Sequence, residues 1–295
     1  MPELPEVHTI SQDLKKNIIG YEIKSIKISP DYKIPETEKI KLAKLGGKKI
    51  SDVGRIAKNI VIKLSENDFL IFHLAMSGRI LLRSSKEEKD NWTKIVFEIS
   101  KNEETKYLKF CDMRQFGKIK VMDRQSLKDM KNKYGLDVLD KNTTTEKFLK
   151  AIKSKNTNIK NALMDQKIIS GVGNIYATDA LFLAGINPQT RTKNLNLQNG
   201  QHLLNGLRQV LEEGIKNRGA TLPDEMYVDI FGKPGNQQNH FKIYGKKICP
   251  ECGSPVSFEK INGRGTYFCP VCQPLIENTE NIKDLHKAPT QNSFL

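Results

Sequence analysis

The chain opens Met1-Pro2-Glu3-Leu4-Pro5-Glu6, which places a potential nucleophile beside a potential proton donor. A small penultimate residue such as Pro2 permits removal of Met1, and the group then exposed is a secondary amine. A terminal amine has a reference pKa of about 7.7–8.0, so a useful fraction is neutral near pH 7. The positive end of a following helix disfavours the ammonium and lowers that value further. A neutral amine can attack a sugar C1′ and form an iminium ion, by the logic of a Schiff-base lysine. Glu3 can then pass protons to the opening ring and the leaving group. Glu6, in the first helical turn, either stabilises that turn or offers catalytic support by holding a water or sugar. In isolation, a Pro-Glu start reads more simply as a processing residue followed by a helix-opening carboxylate.

A second constellation lies near the other end. Cys249 and Cys252, then Cys269 and Cys272, form two C-x-x-C pairs separated by sixteen residues. That spacing fits one four-cysteine zinc site. Four protein ligands leave the metal no open position, so the Zn2+ is expected to be structural. Between the pairs, two alternating runs flank Asn262-Gly263, the strongest two-residue hairpin signal. Arg264 follows the turn and is expected to project from its tip, where it suits a phosphate or minor-groove contact. Cys111 stands apart and reads as a buried strand cysteine.

These groups need a frame. Val7, Ile10, Leu14 and Ile18 recur at helical spacing, with Gly20 as the stop, so a helix begins almost at the N-terminus. Runs such as Glu22–Ile28, Asn59–Leu64, Phe69–Leu74, Lys94–Ile99 and Tyr107–Phe110 predict a β-sandwich with that helix on its flank. A charged stretch over 129–141 reads as a linker. Thr143 with Glu146 predicts a capping box, and helices follow near 144–155, 159–166, Asn174–Leu183 and Leu197–Asn217. The expected fold class is α+β multidomain, with a sandwich, a helical domain and a zinc-ribbon finger. The expected boundaries are 1–128, 142–243 and 244–273, with a disordered polar tail over 274–295.

The opening Pro2-Glu3-Leu4-Pro5-Glu6-Val7 resembles that of the bacterial formamidopyrimidine-DNA glycosylases, and the likeness extends in order from Met1 to about Gln273. It implies that Pro2 is the nucleophile, Glu3 the proton donor, and Lys58, in Gly54-Arg55-Ile56-Ala57-Lys58-Asn59, a phosphate-contacting lysine that assists the chemistry. It also implies that Met76, Arg114 and Phe116 enter the duplex where a nucleotide has been flipped out. By residue type alone Met76 and Phe116 would be sandwich core. Apolar wedges can fill such a hole in the stack, and an arginine can satisfy the orphaned base. Gly171-Val172-Gly173-Asn174-Ile175-Tyr176-Ala177 is similar to the family's helix–two-turns–helix, which implies that Asn174 and nearby Lys160 grip the DNA backbone. Paired glycines before a helix also let backbone amides approach an anion.

Two positions depart from the family pattern. The family's Arg-Arg-Phe-Gly is here Arg114-Gln115-Phe116-Gly117, one cation fewer, and its glutamate three residues after the helix-entry tyrosine is here Asp179. Gly219–Gly235 matches the segment carrying the lesion-capping loop, with glycines at both ends as a mobile lid needs. That loop, and Leu4 where endonuclease VIII-like relatives carry glycine, favour oxidised purines over oxidised pyrimidines.

The bulk properties agree with a polyanionic partner: 295 residues carry a formal net charge of +14. Double-stranded DNA bearing oxidised bases or abasic sites is the expected partner and a monomer the expected state. No apolar run approaches the ~20 residues that span a bilayer, and the acidic, proline-bearing start is unlike a signal peptide. A cytoplasmic enzyme is therefore expected.

Overall fold

A computed structural model describes residues 1–277. Helix α1 (Leu4–Ile18) is followed by β1 (Glu22–Ile28), α2 (Glu36–Ala43), β2 (Ile50–Ile56), β3 (Asn59–Leu64), β4 (Phe69–His73), β5 (Gly78–Arg83), β6 (Thr93–Lys101), β7 (Glu104–Asp112) and β8 (Lys118–Met122). The strands form two four-stranded antiparallel sheets, β1-β6-β7-β5 and β2-β3-β4-β8. Their inner faces close over Phe72, Phe97 and Phe110, which meet at tilted and edge-on angles, geometry that aromatic rings favour.

Helix α1 does more than lie on the sandwich flank. Val7, Ile10, Leu14 and Ile18 pack into the sandwich core, whereas Leu4 belongs to the core of the helical domain. Its first turn therefore sits in the seam between domains. Helix α2 was not legible in the sequence because it buries only Leu42, leaving no apolar stripe to detect.

The stretch expected to be a linker from residue 129 begins inside a helix, α3 (Arg124–Lys131). Leu127 and Met130 pack on Val61, Phe69 and Ile71 of the outer sheet face, a two-residue stripe hidden among charges. Residues beyond it are pinned: Arg55 pairs with Asp137 at 2.8 Å, and Arg208 donates to Val138 O at 2.9 Å.

The helical domain comprises α4 (Thr145–Ile152), α5 (Ile159–Met164), α6 (Asn174–Leu183) and α7 (Leu197–Lys216). The cap of α4 is Thr144, whose hydroxyl accepts from Lys147 N, rather than Thr143. Thr143 is buried and donates to Asp137 O instead. Three consecutive threonines can each cap, and tertiary burial selects among them. The finger hairpin, β9 (Ser257–Ile261) and β10 (Arg264–Phe268), turns through Asn262 and Gly263, both at positive φ (48° and 73°), as a type I′ turn requires. Of the tail, residues 274–277 are described and Asn194 donates to Ile276 O; the disorder expected beyond 277 lies outside the described residues.

Candidate active site

The first residues of the chain are held against the glycine turn before α6. Leu4 N donates to Gly171 O at 3.0 Å, and Ile175 N donates to Glu3 Oε1 at 3.0 Å. The anion cradled by that turn is thus the protein's own Glu3 carboxylate, at the positive end of α6. A Cβ at Gly173 would lie 2.3 Å from the Glu3 carboxyl carbon, and one at Gly171 would lie 2.7 Å from Leu4. The sequence placed a generic anion there; the structure makes it Glu3. Gln166 braces the turn, accepting from Gly171 N and donating to Val172 O. Glu3 Oε2 is buried without a hydrogen-bond partner, and Pro2 beside it is also buried. Met1 is about half exposed; while it is joined to Pro2 the Pro2 nitrogen is an amide, and its removal frees the amine.

Glu6 serves the architecture. One oxygen accepts from Glu3 N at 2.7 Å; the other accepts from Tyr176 OH at 2.7 Å and Ala220 N at 2.8 Å. It therefore ties α1 to α6 and to the 219–235 segment, with both oxygens occupied. Burial, with Glu3 nearby, raises its pKa.

Lys58 follows Ala57, which sits at positive φ (51°) in the β2–β3 turn, and is nearly buried. Desolvation depresses its ammonium pKa against the opposing pull of Glu3 and Glu6, and Arg264 depresses it further. Glu3, Lys58 and the finger-tip Arg264, from three parts of the chain, thus share one electrostatic environment. Arg264 is exposed, as expected.

The register Asn59↔His73↔Lys118 puts the loops after β4 and before β8 at the same sheet end as Lys58. Met76 and Phe116 project there, 37% and 53% exposed, which removes the core reading for both. Arg114 stacks over Phe116, 4.9 Å from its ring centroid. Sequence reasoning missed the residue that joins these loops: the fully buried Asp112 accepts from Ser77 Oγ at 2.6 Å and from Gly117 N at 2.7 Å. Ser77 Oγ in turn accepts from Arg114 N.

Lys160 corrects the sequence reading. It is fully buried beneath α6, donating to Asn174 O at 3.0 Å and to Thr178 Oγ1, so it cannot face a DNA backbone. Burial lowers its pKa to about 7. Its spacing to the glycine turn was readable, but the inward direction of α5's face was not. Asn174 is half-buried and donates to Gly265 O at 2.9 Å, which joins the α6 N-terminus to the finger. Asp179, buried, accepts from the backbone of Lys242, Ile243 and Tyr244 and so fixes the chain entering the finger.

The four cysteine Sγ atoms lie within 4.8 Å of one another, with Cys249–Cys272 at 3.8 Å and Cys252–Cys269 at 3.5 Å. A tetrahedral Zn–S4 centre with bonds of about 2.3 Å has S···S edges near 3.8 Å, so the donor set fits one structural Zn2+. Gln273 docks the finger onto the helical domain through Cys269 N and Ile186 O. Cys252→Ser, or chelation, is expected to weaken duplex binding at least tenfold while far-UV circular dichroism keeps its sandwich and helical signal. A hairpin this small cannot bury a sufficient core without metal. Zinc-free protein that binds normally would refute this.

The 219–235 segment also departs from expectation. Two of its three glycines serve close packing: a Cβ at Gly219 would meet Glu6 and Tyr227 at 2.8 Å, and one at Gly235 would meet Gly219 O at 2.2 Å. Tyr227 and Ile230 are buried in the sandwich core, and Leu82 N donates to Ile230 O. Arg218 bridges Asp13 of α1 to Asp229. Two stretches project, with residues 223–225 and 231–234 exposed, and Arg79 donates to the backbone oxygens of Glu225 and Met226.

A sandwich and a helical domain meeting over a buried carboxylate, with a zinc hairpin reaching the same place, define a class of DNA-repair glycosylase, and the comparisons agree. Residues 1–119 match the formamidopyrimidine-DNA glycosylase N-terminal domain, 134–225 its H2TH domain and 246–275 the zinc finger found in FPG and IleRS. The formamidopyrimidine-DNA glycosylase of Pelotomaculum thermopropionicum is 36% identical over 279 residues, 92% of this chain and 99% of that protein. That of Herpetosiphon aurantiacus is 34% identical, over 92% and 100%. Lactococcus lactis Fpg, solved with DNA containing an abasic site, superposes with a TM-score of 0.83 at 28% identity, over 92% and 99% of the chains. MutM (Fpg) of Thermus thermophilus gives 0.80 at 30% identity, over 93% and 99%. The chain belongs to the formamidopyrimidine-DNA glycosylase family.

Proposed function

We propose that the protein is a bifunctional DNA glycosylase and abasic-site lyase of base excision repair, acting on oxidised purines in duplex DNA. The observation that carries this reading is the Glu3 carboxylate, buried beside Pro2 with one oxygen lacking any partner. A buried acceptor left unpaired costs stability, and a substrate that completes it offsets that cost.

Once Met1 is removed, the neutral Pro2 nitrogen attacks C1′ as the bond from C1′ to the base breaks. Attack leaves the Pro2 nitrogen bearing its proton, which passes to the departing base. The freed nitrogen lone pair then expels O4′, which takes a proton from Glu3, and the C1′ iminium forms as the ring opens. Loss of a C2′ proton expels the 3′ phosphate, and a second elimination expels the 5′ phosphate, leaving a gapped strand. Lys58, its ammonium destabilised by burial, is suited to proton transfer and to holding the adjacent phosphate. Arg264 at the finger tip and Asn174 at the start of α6 grip the backbone of the flipped nucleotide, and Met76, Arg114 and Phe116 fill the vacated stack. The zinc finger belongs to this DNA grip. The enzyme works as a monomer in the cytoplasm, where its DNA substrate lies; among the described residues no helix is long and apolar enough to cross a membrane.

Duplexes carrying 8-oxoguanine opposite cytosine, or a formamidopyrimidine, are expected to be cut faster than duplexes carrying thymine glycol. The reverse order would make the protein an endonuclease VIII-like enzyme for oxidised pyrimidines. Deleting 224–231 would remove core residues, so the informative change replaces the exposed Pro223–Glu225 by Gly-Ser-Gly. Excision of 8-oxoguanine should fall by about tenfold or more, with nicking at a pre-formed abasic site little changed, because that substrate presents no base to read. Equal loss on both would mean that the loop supports only the fold.

A further inference from the structure

The first exposed stretch of the 219–235 segment is held to the sandwich by one side chain. Among the described residues, the hydrogen bonds that reach Leu222–Met226 from outside that stretch all come from Arg79 of β5. Its Nη2 donates to Glu225 O at 2.5 Å and its Nε to Met226 O at 3.3 Å. Both acceptors are backbone oxygens, so the grip depends on where the loop lies and not on which side chains it carries. Inside the stretch, Glu225 N donates to Leu222 O at 2.8 Å and Met226 N to Asp224 Oδ1 at 3.2 Å. These bonds shape the loop without tying it to the sandwich.

Arg79 is itself seated. Its guanidinium carbon lies 5.9 Å from the ring centroid of Trp92, within the range of a cation–π contact. Trp92 is exposed and sits at positive φ (60°), a conformation that bulky residues rarely adopt. Strain of this kind persists where the surroundings enforce it, and here they do. Asp112 N donates to Trp92 O at 2.9 Å. Two residues earlier, Asp90 pairs with Arg83 at 2.8 Å and with the buried Lys109 at 3.3 Å, and its carbonyl accepts from Thr93 Oγ1 at 2.8 Å. The same seat reaches the loops that probe the duplex. Gly78, beside Arg79, pairs with Asp112 across β5 and β7. Asp112 therefore joins the Met76 and Arg114–Phe116 loops through its side chain and supports the Trp92 platform through its amide.

We propose that Arg79, seated on Trp92, is a specificity-determining positioning residue, which holds the 223–226 loop in place to read the flipped base. The proposal rests on the glycosylase reading above and deepens it. A loop already held in its working position is spared the ordering cost when a base enters, so its contacts count fully toward discriminating one base from another. Released from Arg79, the loop would lose that advantage for the base while the sugar chemistry at Pro2 and Glu3 stayed intact. The guanidinium suits this task because its planar fork reaches two successive carbonyls while its face lies on a ring, which an ammonium cannot do.

The test uses the full-length enzyme after Met1 removal, on duplexes carrying 8-oxoguanine opposite cytosine or a pre-formed abasic site. Arg79→Ala should slow single-turnover release of 8-oxoguanine by about tenfold, the scale of a hydrogen bond to a charged group. Nicking of the abasic site should be little changed, and Arg79→Lys should not restore base release. Trp92 is the only tryptophan of the chain, so acrylamide quenching of its fluorescence reads the seat directly and should increase in Arg79→Ala. The deciding variant combines Arg79→Ala with replacement of Pro223–Glu225 by Gly-Ser-Gly. If Arg79 acts through the loop, the combined loss should equal that of the loop replacement alone. Native-like base release by Arg79→Ala, equal loss on both substrates, or additive losses in the combined variant would overturn the proposal. Should Arg79→Ala fail to fold, Trp92→Leu decides, with an expected loss of about threefold in base release only and no loss overturning it. Failure of the native enzyme to release 8-oxoguanine would instead reject the glycosylase reading.

Discussion

Sodium borohydride added during reaction with an 8-oxoguanine duplex is expected to trap a covalent protein–DNA adduct whose crosslinked peptide begins at Pro2. In the processed protein Pro2 presents a terminal secondary amine beside Glu3, a group able to form an iminium near neutral pH. Protein that retains Met1 carries an amide at that nitrogen. An amide lone pair is delocalised into the carbonyl, so this form should lose activity by more than about 10³-fold and give no adduct. The two forms differ by one methionine and can be told apart by intact mass. Each molecule either keeps or loses Met1, so incomplete removal would appear as a proportionate loss of active sites. An adduct mapped to Lys58 would overturn the assignment.

Gly173→Ala should be nearly as damaging to base excision, although the residue has no functional side chain. Its Cβ would lie 2.3 Å from the Glu3 carboxyl carbon and about 2.5 Å from the oxygens, closer than real contacts allow. Glu3 is held in place by Ile175 N and surrounded by buried groups, so the carboxylate must leave its position at the α6 N-terminus. General acid catalysis is worth about 10²–10⁴, and 8-oxoguanine excision should fall by about 10² or more. Nicking of a pre-formed abasic site should fall much less, because the sugar there is already free to open and no base has to be expelled. Thermal unfolding of the variant checks that the seam is intact. A parallel collapse of both activities with a large drop in Tm would mean that Gly173 matters for folding and not for placing Glu3.

The sequence by itself determined the parts whose signal is local. Val7, Ile10, Leu14 and Ile18 specify α1 because their spacing is that of one helix face. Strands β1 and β3 and helix α6 fall where periodicity put them, and the four cysteines specify a zinc site because ligand spacing is a chain property. The Pro2-Glu3 opening pointed to a nucleophile and a proton donor only through the family resemblance, since by itself it read as a processing residue before a helix-opening carboxylate. Tertiary structure alone decided how these parts meet. Leu4 reads like any other apolar residue of α1, yet it packs in a different core from Val7, because the seam between domains passes through that turn. Lys160 looks like one more surface cation; only the packing of α5 under α6 turns it inward. Asp112 carries no motif, since a buried carboxylate that joins two loops is recognised by what folds around it. The 219–235 segment reads as a lid from its glycines, whereas its Tyr227 and Ile230 fasten it to a core more than a hundred residues away in the chain. Periodicity and ligand spacing are properties of neighbours along the chain; burial direction and electrostatic partnership depend on residues that only the folded chain brings together.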